Sequence, residues 1–189
     1  TTSKQEFSLP TKFYNVPRKS IGLKFIPKVD VLVQDISALK PVVITDEGSD
    51  LTLAVKAKLE SEGHTVIVIQ FDAFKKNPTL KNGISISDIN DQNIKMAIDT
   101  ILAKNDIGSF IYLHPHFTFS GSNFTQHFDT ERALLKATFL LAKQLQAPLN
   151  ANSKTQRTAF MTVSRLDGKF GMDKRSNMSI IAGGLSGLT

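Results

Sequence analysis

After Pro41 the sequence alternates short β-branched runs with stretches whose apolar residues recur at helical spacing, and this alternation limits the possible folds most. Five runs have the length and composition of strands. They cover residues 42–44, 65–71, 84–88, 109–113 and 158–164. Because strands that alternate with helices pair in parallel through helical crossovers, the pattern predicts an α/β domain with a parallel sheet covered by helices on both faces.

The stretches between the strands show where helices begin and end. Ser49 or Asp50 can cap the first helix, and Gly63 can close it in the left-handed conformation that glycine adopts readily. Three further helices are expected, over residues 94–102, from Asp129 or Thr130 to about Gln146, and over residues 178–188, with a polar linker over residues 148–156. With right-handed crossovers, this order predicts a doubly wound, Rossmann-like sheet with strand order 3-2-1-4-5.

The first forty residues do not follow this pattern. They contain three prolines. Residues 20–26 alternate loosely in the way of an edge strand, and residues 30–39 could form another short strand or a turn of helix. We therefore divide the chain into an N-terminal extended arm or linker, residues 1–40, and a Rossmann-like domain, residues 41–189.

The turn after the first strand, residues 45–51, is the first place to look for a ligand site. A dinucleotide site needs several glycines here, so that backbone N–H groups can approach the pyrophosphate. This turn has one glycine and three carboxylates, those of Asp46, Glu47 and Asp50. Carboxylates repel phosphates by about 1 kcal/mol or more per pair, and they stabilise a helix N-terminus themselves. The turn therefore predicts a helix that begins without a bound nucleotide.

The same acids fit a second class of protein, the phosphoacceptor receiver domain. In that class paired acids after the first strand, here Asp46 and Glu47, and a later acid such as Asp88 hold Mg²⁺ while one carboxylate accepts phosphate. The site also needs a Ser or Thr after the next strand, where His114 stands, and a Lys followed by Pro after the last strand, where Arg165 stands. A receiver domain stays as an alternative.

The formal net charge of +6 is unevenly distributed. Residues 1–40 carry seven basic and three acidic side chains, residues 154–175 carry six and two, and residues 41–153 carry ten and twelve. A uniformly basic binding face would not show this distribution, and we find no helix-turn-helix or RNA-binding signature. We expect no nucleic-acid partner, and we interpret the flanks as a solvated basic arm and loop or as a surface that faces an acidic partner.

Two further absences in the sequence exclude classes of protein. No apolar run approaches the roughly 20 residues of a membrane helix, so no membrane partner is expected. The chain has no cysteine, which excludes a disulfide scaffold and is consistent with a cytoplasmic protein.

Four segments together resemble a known family. They are Pro41–Ile69, Ala133–Ala147, Arg157–Gly171 and Ala182–Thr189. They are similar to the ketoreductase region of modular polyketide synthases, and above all to that of the large multidomain subunit of bacterial polyunsaturated fatty acid synthases. The resemblance implies two short-chain-dehydrogenase-like halves, a truncated structural subdomain without cofactor and a catalytic half that uses NADPH to reduce a β-ketoacyl thioester on the phosphopantetheine of an acyl carrier protein.

The catalytic half of this family carries a Tyr, which protonates the carbonyl oxygen, and a Lys four residues later, which lowers the pKa of that Tyr. Here Tyr14 is followed at that distance by Arg18, and Tyr112 by His116. Ser164 stands where the catalytic Ser would stand, but about thirteen residues later, where the Tyr belongs, the chain reads Ser-Asn-Met.

The resemblance therefore implies the structural subdomain, and we predict no catalytic, cofactor-binding or metal-binding residue in this chain. An active but divergent nucleotide-binding reductase stays as an alternative.

The resemblance also implies a partner. The N-terminal segment of the family contributes a strand that pairs with the catalytic half, and residues 20–26 are the candidate. The small residues of the last helix are expected to allow close packing rather than proton transfer. These are Ala182, Gly183, Gly184 and Gly187. The chain begins at Thr1 and stops at Thr189 in or at the end of an uncapped helix, so we expect it to be part of a larger polypeptide.

Histidines and aromatic residues cluster after the fourth strand. His114, His116 and His127 could suggest a metal site, but only Asp129 could complete the ligand set, so we interpret them as ordinary loop histidines. Residues 115–128 are predicted to form a loop that its phenylalanines anchor to the core of the domain. These are Phe117, Phe119, Phe124 and Phe128.

Overall fold

The computed structural model describes residues 36–72, 83–117, 124–165 and 181–188. The chain divides into two units, residues 1–31 and residues 32–189, and every described residue belongs to the second. The predicted edge strand at residues 20–26 lies outside the described residues.

Five parallel strands form one sheet in the order β3-β2-β1-β4-β5. The strands are β1 (Val42–Thr45), β2 (Val66–Phe71), β3 (Ile84–Ile86), β4 (Ser109–Leu113) and β5 (Ala159–Val163). The central strand β1 pairs with β2 from Val42 opposite Val66 and with β4 from Val42 opposite Ser109. The predicted doubly wound, Rossmann-like α/β fold is confirmed, including its strand order.

The helices are α1 (Asp50–Ser61), α2 (Asp91–Leu102) and α3 (Phe124–Asn152), followed by a 3₁₀ helix over Ile181–Gly187. Ser49 caps α1, since its Oγ accepts a hydrogen bond from the backbone nitrogen of Leu51 at 3.3 Å. Gly63 follows α1 with a φ of +88°, the left-handed conformation that favours glycine. Within the described ranges, no helix is both long and apolar enough to cross a membrane.

The predicted bounds of the longest helix were wrong at both ends. It begins at Phe124, not at Asp129 or Thr130, and it continues through Pro148 to Asn152 instead of ending near Gln146. The predicted loop at residues 115–128 and the predicted linker at residues 148–156 are therefore partly helical.

Tertiary contacts explain why α3 extends past its proline, which would ordinarily end a helix. Leu149 is buried in the core. The Asn152 side chain donates to the carbonyl oxygen of Ile107 at 2.9 Å and accepts from Lys40 Nζ at 2.6 Å. These contacts hold the last turn of α3 against the loop before β4.

The last predicted helix, residues 178–188, is also corrected, because its described part is a 3₁₀ helix. Ala182 and Leu185 are both buried, and residues three apart lie on the same side of a 3₁₀ helix. A Cβ at Gly183 would meet nothing within 4 Å, whereas a Cβ at Gly184 would contact Leu135 at 3.4 Å. Close packing therefore involves Ala182 and Gly184, and Gly183 does not contribute to it.

Two apolar clusters cover the two faces of the sheet. Adjacent residues of β1 point to opposite faces, so Val43 joins one cluster while Val42 and Ile44 join the other. The larger cluster packs the sheet against α2 and α3, and the smaller one packs it against α1. The helices that follow β1, β3 and β4 are thereby packed against the sheet.

Replacing one leucine of the larger cluster tests this core. We expect Leu141→Ala, at a fully buried position, to lower the free energy of unfolding by about 3 kcal/mol through lost burial and the cavity it leaves. Leu39→Ala is the matched control, because Leu39 is 81% exposed and surface substitutions change stability by about 0.5 kcal/mol or less. Urea unfolding followed by circular dichroism measures both, and equal midpoints would contradict the assignment.

Candidate functional site

The carboxyl end of β1 carries two buried carboxylates. Asp46 is 3% exposed and Glu47 is 6% exposed. Asp46 Oδ2 accepts a hydrogen bond from Gln70 Nε2 at 2.9 Å, and its Oδ1 accepts from the backbone nitrogen of Gly48 at 3.0 Å. Asp46 thereby joins the end of β2 to the turn that follows β1.

Glu47 is held by the N-cap and the first turn of α1 and by a residue that follows β5. Its carboxylate accepts a hydrogen bond from Ser49 Oγ, and its backbone nitrogen donates to Thr52 Oγ1 at 3.1 Å. Its second oxygen, Oε2, lies 3.8 Å from Nη2 of Arg165, just beyond β5. This ion pair reaches from the end of β1 to the end of β5, above the end of β4.

Together these contacts fill the first turn with the chain's own polar groups. The Ser49 hydroxyl accepts a hydrogen bond from the backbone nitrogen of Leu51, and the Thr52 hydroxyl accepts one from the backbone nitrogen of Glu47. In a glycine-rich turn, backbone N–H groups of this kind bind a phosphate. The carboxylates of Asp46 and Glu47 point into buried contacts, while Asp50 is exposed at the start of α1. The arrangement suits a closed turn and disfavours an anion.

Polar groups also join β1 to β4. Thr45 Oγ1 accepts a hydrogen bond from the backbone nitrogen of Leu113 at 2.8 Å and donates to its carbonyl oxygen at 3.2 Å. Because Thr45 is fully buried, this double contact fixes the carboxyl ends of these two neighbouring strands to each other.

A second buried polar group lies at the end of β4. Tyr112 is fully buried, and its phenol oxygen lies 3.3 Å from Nδ1 of His114. Burial raises the pKa of Tyr112 well above its ordinary value, the nearby charge of Glu131 raises it further, and a hydrogen bond with Thr138 opposes the rise. Tyr112 therefore stays protonated and is enclosed by β4 and α3.

His114 is also buried, and burial lowers its pKa from 6.5 to about 4. Its ring packs edge-on against Phe117, with centroids 6.0 Å apart. A neutral imidazole is therefore part of the folded domain at neutral pH.

The other predicted site residues are not brought together. Ser164 follows β5 directly and is half-buried, and Tyr14 and residues 176–178 lie outside the described residues. His116 is exposed, and the side chain of His127 is not among those described. In the part of the chain that the structure describes, no three acidic or histidine side chains come together as metal ligands.

The phenylalanines after β4 have separate positions. Phe117 packs against the larger apolar cluster, as the anchoring hypothesis predicts. Phe128 lies on α3 with the guanidinium of Arg132 6.0 Å from its ring centroid. Phe119 and the side chain of Phe124 are outside the described set.

One buried polar residue was missed from the sequence. Glu131 lies on the buried side of α3, three residues before Leu134. That helical spacing could have identified it as core-facing, because i and i+3 positions share one face of a helix.

No protein-family model matches this sequence, and no curated protein sequence matches it. Solved structures do match the fold. The 3-hydroxyacyl-CoA dehydrogenase type-2 of Mycobacterium avium has a TM-score of 0.56 at 14% identity, with 78% of this chain and 63% of that chain covered. The aldohexose dehydrogenase of Thermoplasma acidophilum has a TM-score of 0.57 at 16% identity, with 79% and 59% covered.

A short chain dehydrogenase family protein of Francisella tularensis also matches, with a TM-score of 0.50 at 16% identity, and with 80% of this chain and 62% of that chain covered. The chain thus spans about 60% of the length of these structures. At these identities the likeness shows the fold, which is that of the short-chain dehydrogenases.

The pH dependence of stability tests the burial of His114. Its pKa is about 4 in the folded chain and about 6.5 when exposed, so the unfolded chain binds the proton more tightly. The stabilisation is present above pH 6.5 and is lost as the pH falls through 4, with a total of about 3 kcal/mol. We expect the free energy of unfolding to fall more between pH 7 and pH 4 in the wild type than in His114→Asn.

His116→Gln is the matched control for this experiment, because it removes a histidine two residues away whose side chain is exposed. Urea titrations at a series of pH values give the free energies. If His114→Asn and the wild type have parallel pH profiles, the buried neutral imidazole is contradicted.

Proposed function

We propose that the chain is the noncatalytic structural subdomain of a β-ketoacyl reductase in a polyketide-synthase-like fatty acid or polyketide assembly line. Its role is to hold the NADPH-dependent catalytic half, which reduces β-ketoacyl thioesters carried on an acyl carrier protein. NADPH and the phosphopantetheine-bound acyl chain then bind elsewhere in the parent protein. The short-chain-dehydrogenase fold and the resemblance of the sequence to ketoreductases support this proposal together.

The observation that carries the proposal is the closed first turn. Asp46 and Glu47 occupy the carboxyl end of β1, which is the strand end where this type of sheet binds the pyrophosphate of a dinucleotide. A nucleotide would have to displace the contacts of Asp46 with Gln70 and of Glu47 with Ser49. It would also place phosphates beside two buried carboxylates, which is electrostatically unfavourable.

The burial and the raised pKa of Tyr112 also support a noncatalytic role. A catalytic tyrosine must reach its substrate and must have a lowered pKa. Tyr112 is fully buried, hydrogen-bonds within the domain, and has a raised pKa. Its role is therefore to pack β4 against α3.

A divergent nucleotide-binding reductase is the second candidate, and the match to dehydrogenase structures favours it. The receiver domain is not supported by the fold. Receiver sheets have the order 2-1-3-4-5, which places β3 beside β1. Here β2 separates β3 from β1, so Asp88 after β3 lies two strands away from Asp46 and Glu47.

Calorimetric titration with NADPH separates the first two candidates. We expect no measurable heat of binding up to millimolar nucleotide, because the first turn has no free cradle for the pyrophosphate. The same titration of a known NADPH-dependent dehydrogenase is the positive control. Micromolar affinity, with nucleotide bound at residues 45–51, would overturn the proposal.

A turnover assay tests whether the reduction requires the downstream half. We expect the 189-residue chain not to oxidise NADPH in the presence of a β-ketoacyl thioester, and we expect a longer polypeptide that includes the downstream half to do so. Absorbance at the nicotinamide band measures both. Turnover by the 189-residue chain itself would favour the divergent reductase.

A further inference from the structure

A small polar cavity lies at the carboxyl ends of β4 and β5, apart from the first turn. It is lined by His114, Pro115, His116, Phe117, Glu131, Arg165 and Ala182. The cavity leaves about 10 Å³ for the centre of a water molecule, and one water needs about that volume. A substrate or a cofactor ring is too large for it.

Nε2 of His114 is buried and has no hydrogen-bond partner among the described residues. A polar atom that is buried without a partner destabilises the fold by about 1–3 kcal/mol. Because His114 lines the cavity, a group held there could satisfy this nitrogen.

The contact on the other side of the ring leaves Nε2 as the nitrogen that faces the cavity. Nδ1 of His114 lies 3.3 Å from the phenol oxygen of Tyr112. In a neutral imidazole one ring nitrogen donates and the other accepts, so Nε2 has the role that Nδ1 does not have. A water molecule can donate or accept, and it therefore suits Nε2 in either tautomer.

We propose that this cavity is an internal water site, in which one water forms a hydrogen bond with Nε2 of His114 and donates to the buried carboxylate of Glu131. Water is the ligand that fits both the volume and the chemistry, since it can donate to Glu131, pair with either form of Nε2, and accept from Arg165 on the cavity wall. The bound water would join β4, α3 and the end of β5. The inference does not depend on the proposed function.

Nuclear magnetic resonance of the ¹⁵N-labelled chain tests the site at neutral pH. We expect cross-relaxation peaks between the ring protons of His114 and a long-lived water. A His114 ring without a water peak would overturn the proposal.

Two variants make the test specific. Ala182→Val adds two methyl groups at a buried residue of the cavity wall, and we expect it to abolish the water peak. Gly183→Ala is the matched control, because a Cβ there meets nothing within 4 Å and should leave the peak unchanged. A peak that persists in folded Ala182→Val would count against the site. If that variant does not fold, the wild-type spectrum decides.

Discussion

The burial of Asp46 and Glu47 is the constraint on which the carboxyl edge of this domain depends. Removing a carboxylate from water is unfavourable unless hydrogen bonds or opposite charges compensate. Gln70, Ser49 and Arg165 supply those contacts from β2, from the start of α1 and from the end of β5. The chain's own side chains thus connect three strand ends that a nucleotide spans in a dinucleotide-binding sheet.

The core of the domain is separate from these strand-end contacts. The sheet has the strand order and the two packed faces of a doubly wound α/β fold. Since the core lies between the sheet and the helices, it does not require a ligand at the strand ends. The strand ends can therefore be joined by the chain's own side chains, as they are at Asp46 and Glu47.

Much of the fold could be predicted from the sequence, because the spacing and burial of apolar residues determine each strand and helix locally. The buried runs at β1, β2 and β4 and the Ser49 cap are signalled by adjacent residues. The length of α3 was not predictable in this way, since Pro148 and the polar residues near it indicate an end. Contacts of Asn152 with Ile107 and Lys40, which are distant in sequence, determine where that helix stops.

The candidate site was predictable only in part. The single glycine and the acids of the first turn indicated that a nucleotide is disfavoured, but not which groups compensate the acids. The partners of Asp46 and Glu47 depend on the sheet order, and Arg165 lies 118 positions after Glu47 in the sequence. The central claim is tested most directly by following the backbone amide signals of Gly48, Ser49 and Leu51 while NADPH is added. The account predicts that these signals do not move, and saturable shifts confined to this turn would contradict it.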